Sequence, residues 1–376
     1  MMSNDTKILY IAPQISKASG GKLVSQRNKE ILRLLASDDC FFCYEVKRNT
    51  QNPLKMLWND IKERSFYGLN SSDKKKIIQC IKRNNISIVF LDSSNLGGVV
   101  KYIKRHCRTV KVITFFHNVE IDFTRMSLKL SKRWHLFYRI WLSKYNESQA
   151  IHLSDSTICL NQRDATTLFQ KYKKNIKHII PVTLDSKIDN ISINKVRVAN
   201  RIPNLLFFGS NFPPNIEGIK LFVEKVMPNI TGFLTIAGQG MEQIKAFLPS
   251  SKNINIMGYI ENIDELYYNA DIVILPIFSG SGMKVKTAEA LKYGKFIIAS
   301  DEALEGYDVD NLKGVIRCSC IENFASAIND FSHNYKEQNS FIEENRQRFL
   351  NLYSNEVALK RFKYILEELN SNQIIK

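Results

Sequence analysis

No run in this sequence approaches the roughly 18 uncharged apolar residues that a membrane-spanning helix requires. Its opening, MMSNDTKILYIAP, holds too short an apolar stretch for the core of a cleavable leader. The expected location is the cytoplasm or the inner face of a membrane, held only at its surface. Glycine and proline are scarce, 16 and 9 of 376 residues, which excludes collagen-like and linker-like chains. Cysteine is sparse and odd in number: seven residues spread over the whole length argue for reduced thiols and against a disulfide framework. Cys40 and Cys43 form a lone CxxC inside the strand-like run CFFCYEV. They lack the helix start that a redox pair prefers and the second pair that a structural metal needs, so both are expected as buried packing thiols. Acid is short as well: Asp and Glu number 37 against 53 Lys and Arg, a formal charge of +16. Such a balance favours an anionic partner, whether nucleic acid, phospholipid headgroups or a phosphorylated small molecule.

With 44% hydrophobic residues and enough length for two domains of about 150 residues, the chain is expected to fold as an α/β protein. In the first half KILYIA, CFFCYEV, SIVFL, VKVITFF, STICL and HIIPV read as strands separated by helical stretches, one of them from Gly21 to about Ala36. Strands spaced by helices predict a mostly parallel sheet covered on both faces. The alternation stops between Thr183 and Asn204, where the sequence is polar and without period, and resumes with LLFFG, GFLTIAG, NINIMG, DIVILPI and KFIIAS. The expected organisation is an N-terminal Rossmann-like domain over 1–182, a linker over 183–204, a second Rossmann-like domain over 205–352, and a C-terminal helix over 353–376 packing back on the first. Two doubly wound domains facing a central cleft would place the site in that cleft. Residues 125–145, RMSLKLSKRWHLFYRIWLSKY, mix basic and aromatic side chains. They read either as a solvated helix face beside a packed one or as an amphipathic element at an anionic membrane surface.

The most specific segment is FSGSGMKVKTAEALKYGKFIIAS, which follows the strand DIVILP. Gly280 and Gly282 permit positive φ or close backbone approach, and a helix beginning near Met283 would present free amides to a phosphate. Lys284 and Lys286 add positive charge at the same end, so a diphosphate is the expected guest. Glu289 is placed to accept from a ribose diol, and Gly294 to close the helix. The plainer alternative is a capped helix with two surface lysines and an i, i+3 Lys286–Glu289 pair. Upstream, SKASGGKLVSQ puts Gly20 and Gly21 after the first strand, where a turn without side chains admits an acceptor or a donor phosphate. ITFFHNVE ends a strand with His117, Asn118 and Glu120, and such strand ends face the ligand in open α/β sheets. His117 on its own also fits a satisfied core histidine. Asp164, after STICLNQR, is expected to cap the helix that follows. DVD at 308–310 is given no role.

On these motifs the chain resembles the retaining GT-B glycosyltransferases, in particular family 4, glycosyl transferases group 1. The second-domain signature of that family corresponds to GSGMKVKTAEALKYGKFIIAS, and LLFFGSNFPPNIEGIKLF resembles the opening of the same domain. The resemblance implies that Glu289 holds the nucleotide ribose. It implies that Lys284 or Lys286, with amides near Gly282 and Met283, holds the donor diphosphate, and that Gly209 and Ser210 border the phosphate or the acceptor. It further implies that His117 contacts the transferred sugar. Many members carry a second glutamate eight positions before the first; Ser281 stands there instead, which the resemblance reads as altered donor recognition.

The implied activity is transfer of a sugar from a nucleotide diphosphate sugar to a hydroxyl of a glycan or lipid-linked oligosaccharide in surface-polysaccharide assembly, with no cofactor or metal required. No nucleic-acid partner is expected. Two alternatives stay open at this point. One is a non-catalytic nucleic-acid or anionic-surface binding protein on the same frame, although no RNA-binding module or zinc-finger spacing is present. The other is a nucleotide-sugar epimerase, which would need cleft acids or bases that no motif supplies.

Overall fold

In the computed structural model the chain is described over residues 6–14, 19–48, 52–132, 134–188, 202–249, 251–333 and 338–371. It divides into two units, Met1–Pro181 with Ala358–Lys376, and Val182–Val357. Most of the interval expected as a linker, residues 189–201, lies outside the described residues, as do the helix end at 372–376 and Ser16–Ala18 of the glycine-turn motif.

The first unit holds six parallel strands: β1 Ile8–Pro13, β2 Phe41–Val46, β3 Ile88–Leu91, β4 Lys111–Phe116, β5 Ser156–Cys159 and β6 His178–Ile179. They are ordered β2-β1-β3-β4-β5-β6. Every residue of β1 and β3 is buried, as expected for central strands with both faces covered by helices. The core on one face joins Leu9, Ile11, Val89, Leu91, Val99 and Val112. Strand order reverses at β1, so the carboxyl ends of β1 and β3 flank a switch point, where open α/β sheets bind ligands. The C-terminal helix Asn355–Ser371 contributes to this unit from Ala358 onward. Phe362 packs edge-on to Phe90 with ring centroids 5.8 Å apart, Arg361 donates to the Ile179 carbonyl at 2.8 Å, and Asn370 donates to Thr6 Oγ1 at 3.2 Å.

The second unit repeats the plan with β7 Asn204–Phe208, β8 Phe233–Ala237, β9 Ile254–Ile256, β10 Ile272–Leu275, β11 Phe296–Ala299 and β12 Val315–Arg317. Their order is β12-β11-β10-β7-β8-β9, all pairs parallel. Its core joins Leu205, Phe207, Ile236, Ile274, Ile298 and Phe324. Strand order reverses between β7 and β10, so the turns after those two strands, beginning at Gly209 and Pro276, flank this unit's switch point.

Several local expectations are corrected. Cys40 is buried, but Cys43 is exposed, because it sits on the open face of an edge strand. Asp164 does not cap its helix: Asn161 does, accepting from Asp164 N at 2.8 Å. Residues 125–145 are not one helix but the end of Glu120–Ser131, a single turn Trp134–Leu136, and the start of Tyr138–Leu153, with Lys132 in the left-handed region stopping the first.

Candidate active site

In the second unit the segment after β10 makes two glycine-dependent turns. Gly280 has φ 149° and Gly282 φ 64°, values that a side chain would strain, and they bring the chain back to start the helix Val285–Lys292. That start lies two residues after the expected Met283, whose side chain is buried ahead of the helix. The N-cap residue is Lys284, which offers no side-chain acceptor to the first-turn amides. Gly294, at φ 59°, follows the helix end.

The two lysines take different partners. Lys284 Nζ reaches Glu302 Oε1 at 2.5 Å and the Gly282 carbonyl at 2.7 Å, so its charge is already met by a carboxylate. Lys286 crosses to the first turn of the helix Pro213–Lys225 that follows β7, where Nζ donates to Asn215 Oδ1 at 2.6 Å and lies 4.9 Å from the centroid of Phe207. A Cβ at Gly209 would come within 2.9 Å of that ammonium, so the missing side chain lets a cation lie against the backbone of the turn. Beside it, the Ser210 carbonyl accepts from Asn215 Nδ2 at 2.8 Å. Burial lowers the Lys286 pKa to about 7, with Glu289 acting against the shift and Lys284 adding to it. An ammonium held this way is short of negative charge.

Glu289 is buried on the next turn and accepts from Tyr267 Oη at 3.0 Å. Tyr267 in turn stacks on Tyr293 with centroids 4.5 Å apart. Burial raises the Glu289 pKa, against the Tyr267 hydrogen bond and the charge of Lys286. The i, i+3 pair does not form: among the described residues Lys286 turns to Asn215 and Glu289 to Tyr267. Asp308 and Asp310 of the DVD sequence pair with Arg348 and Arg317.

In the first unit, His117 follows β4. Leu91 lies opposite Thr114, so the chain leaves β3 at Asp92 and β4 at His117 along the same edge of the sheet. His117 Nε2 is 3.2 Å from Asp92 Oδ1 and 3.1 Å from the Asp92 carbonyl. The same buried carboxylate accepts from Tyr10 Oη and Asn28 Nδ2, each at 2.6 Å. Burial works to raise Asp92, but His117, with hydrogen bonds from Ser25 and Tyr10, outweighs it and holds the carboxyl below its usual range. Burial likewise works to lower His117, and Asp92, with Glu120 behind it, overrides the effect and raises its pKa. The imidazole is therefore fixed through Nε2, while Nδ1 is buried without a hydrogen-bond partner. Glu120 accepts from Asn95 Nδ2 at 2.9 Å and is pushed up to about 7, mainly by burial.

Gly20 and Gly21 are not in a turn at the end of β1. They are the first residues of the helix Gly20–Ala36, capped by Ser19 Oγ accepting from Lys22 N at 3.2 Å. A Cβ on Gly21 would meet nothing nearer than Ser19 Oγ at 4.0 Å, so no close approach requires glycine there. The sequence reading passed over Asp92, Tyr10, Asn28, Asn215, Tyr267 and Glu302. Asp92 carried the signal that selected His117, a polar residue directly after a buried strand; the others are recruited by tertiary packing.

Residues 202–334 match the family model described as Glycosyl transferases group 1. A Klebsiella pneumoniae protein described as an uncharacterized 44.6 kDa protein in cps region is 25% identical over 317 residues, 78% of this chain and 76% of that protein. Among solved structures, Anabaena HepE in complex with UDP is similar with a TM-score of 0.69 at 14% identity, over 97% of this chain and all of that one. A glycosyltransferase from Rickettsia africae is similar with a TM-score of 0.65 at 17% identity, over 98% of this chain and all of that one. The fold is that of the GT-B glycosyltransferases. The second unit carries the domain described as Glycosyl transferases group 1 over residues 202–334.

Proposed function

We propose that the chain transfers a sugar from a nucleotide diphosphate sugar to an acceptor with retention of the anomeric configuration, and that the donor is held by the turns after β7 and β10. In this reading Glu289 accepts from the ribose hydroxyls, and Lys286 meets the diphosphate with the first-turn amides of Val285–Lys292 and the backbone at Gly209, Ser210, Gly282 and Met283. The observation that carries it is the Lys286 ammonium, held by Asn215 against the side-chain-free Gly209 at a strand switch point, with no carboxylate in contact among the described residues. As the diphosphate departs it gains charge, and a preorganised cation with helix-end amides stabilises that charge more than the ground state. Lys284 has a secondary part, because binding a phosphate would mean leaving Glu302. His117, anchored by Asp92, orients the transferred sugar through Nδ1 or supports its developing positive character. Gly20 and Gly21, at the start of the helix Gly20–Ala36, border the acceptor.

The acceptor is proposed to be a glycan or lipid-linked oligosaccharide in surface-polysaccharide assembly. The Klebsiella relative described as a protein in a cps region supports this, and residues 125–145 are assigned to an anionic membrane surface in the same reading. The test is to incubate the full chain with a panel of UDP-, GDP-, dTDP-, CMP- and ADP-sugars plus detergent-solubilised lipid extract, following donor and product by mass spectrometry and the new anomeric proton by NMR. One donor should be consumed with a sugar-sized mass added and its configuration kept. Glu289→Ala should weaken that donor's binding by about 2–3 kcal/mol, the loss of hydrogen bonds to a charged group. An inverted product, or donor binding unchanged in the variant, contradicts the reading.

A further inference from the structure

The first unit carries an exposed surface that the transfer chemistry does not use. On the helix Pro53–Glu63, Leu54, Trp58 and Ile61 recur at helical spacing with 78%, 67% and 45% of their surface open. The helix Tyr138–Leu153 and the residue before it present Trp141 at 48% and Phe137 at 53%, and Leu130 is also exposed at the end of Glu120–Ser131. The helices Pro53–Glu63 and Tyr138–Leu153 are tied together. Tyr138 Oη donates to Asp60 Oδ2 at 3.3 Å, and Asn146 Nδ2 donates to the Arg64 carbonyl at 3.0 Å. Arg64 also lies over Tyr145, whose ring stacks on Trp141.

The charges around these side chains have one sign. Residues 125–145 contain no Asp or Glu, and Arg125, Lys129, Lys132 and Lys144 are exposed among them. Lys55 and Lys62 on the helix Pro53–Glu63 and Arg64 just after it are exposed, while the helix's two acids are withdrawn: Asp60 is buried against Arg48, and Glu63 is paired with Lys74 at 2.9 Å. Asp122, nearby, is held by Lys171 at 3.0 Å and by Arg125.

We propose that this face, built from Leu54, Trp58, Ile61, Phe137 and Trp141 with their flanking lysines, docks the first unit on a lipid bilayer bearing anionic headgroups. Tryptophan with aliphatic side chains suits the boundary between headgroups and acyl chains, and lysines suit the negative surface around it. A second copy of the chain is disfavoured because two such faces would bring like charges together. A nucleic acid would use the aromatics and lysines but leave Leu54 and Ile61 without a role. The inference stands on the face alone and adds the helix Pro53–Glu63 to the segment invoked for the acceptor.

The test is flotation of the full chain with vesicles of phosphatidylcholine, with and without phosphatidylglycerol, over a salt series. Binding is expected only to the anionic vesicles and should weaken with salt. Trp58→Glu with Trp141→Glu should abolish it. Lys55→Gln with Lys62→Gln should weaken it about 25-fold, at about fivefold per lysine near a charged surface. Donor consumption in detergent should be unchanged in both pairs, which shows an intact fold. Equal binding to neutral vesicles, no binding to either, or full binding by the tryptophan pair overturns the proposal. So does a wild-type dimer that the tryptophan pair dissociates, or an RNA complex that it abolishes in place of vesicle binding. Absence of donor turnover in the wild type would sink the transferase reading and leave the vesicle result standing.

Discussion

If Lys286 meets the donor diphosphate, donor affinity must depend on pH in a calculable way. In the free protein, burial holds its pKa at about 7, against an ordinary 10.5. A bound diphosphate supplies the missing negative charge and returns the pKa toward its ordinary range. Only the protonated form of the free protein is then ready to bind, and that form falls from about nine-tenths at pH 6 to about one-tenth at pH 8. Kd should rise about tenfold between those pH values, and at pH 8 binding should take up nearly one proton. A nucleotide sugar is the right ligand, because its diphosphate is esterified at both ends. The terminal phosphate of a free nucleoside diphosphate would titrate in the same window, with a pKa near 6. Calorimetry in two buffers of different ionisation enthalpy gives both Kd and proton uptake. Lys286→Met should bind weakly at every pH and without proton uptake. A wild-type Kd that is flat from pH 6 to 8, or uptake that survives in Lys286→Met, would refute the placement of this lysine at the phosphate.

Four further outcomes follow from the packing. Glu147 accepts from Glu120 N and Tyr172 Oη, and burial lifts its pKa to about 8, so the folded protein holds a proton that the unfolded chain has lost. This group's contribution to stability should therefore fall as pH rises above the ordinary carboxylate range toward 8, and the melting temperature of Glu147→Gln, which imitates the protonated form, should gain on that of the wild type between pH 6 and 8. Asp92→Ala strands His117, Tyr10 and Asn28 together and should cost about 3–5 kcal/mol by urea titration, whereas Asp92→Asn should keep more stability while lowering the His117 pKa measured by NMR. Phe362→Ala removes a fully buried ring packed on Phe90 and should cost about 3–5 kcal/mol, showing that the first unit depends on the C-terminal helix. Asn161→Ala removes a helix cap at a cost of about 1 kcal/mol, and Asp164→Ala should not reproduce that loss through the cap.

The parts of this molecule that were legible in sequence are those governed by local rules. Buried parallel strands announce themselves as apolar runs, and the glycines at 280 and 282 read correctly because positive φ is a property of one residue. The turn after β1 was misread because a Gly-Gly pair also fits the first turn of a helix, and six residues rather than none separate β1 from Gly20. The strand Val315–Arg317 went unread because it is three residues long, ends in Arg and is half open to solvent. The division of labour between Lys284 and Lys286 could not be read, since one partner stands 18 residues downstream and the other 71 upstream. Tyr267, 22 residues before Glu289, is likewise placed by the sheet and not by its neighbours in sequence.

The most direct test of the central claim is donor binding to the full chain, measured with the nucleotide-sugar panel and followed by hydrogen exchange with the donor that binds. The account predicts one preferred donor, with new protection at residues 278–292 and 207–215 that Glu289→Ala diminishes. Binding that protects neither segment, or no binding of any nucleotide sugar, would contradict it.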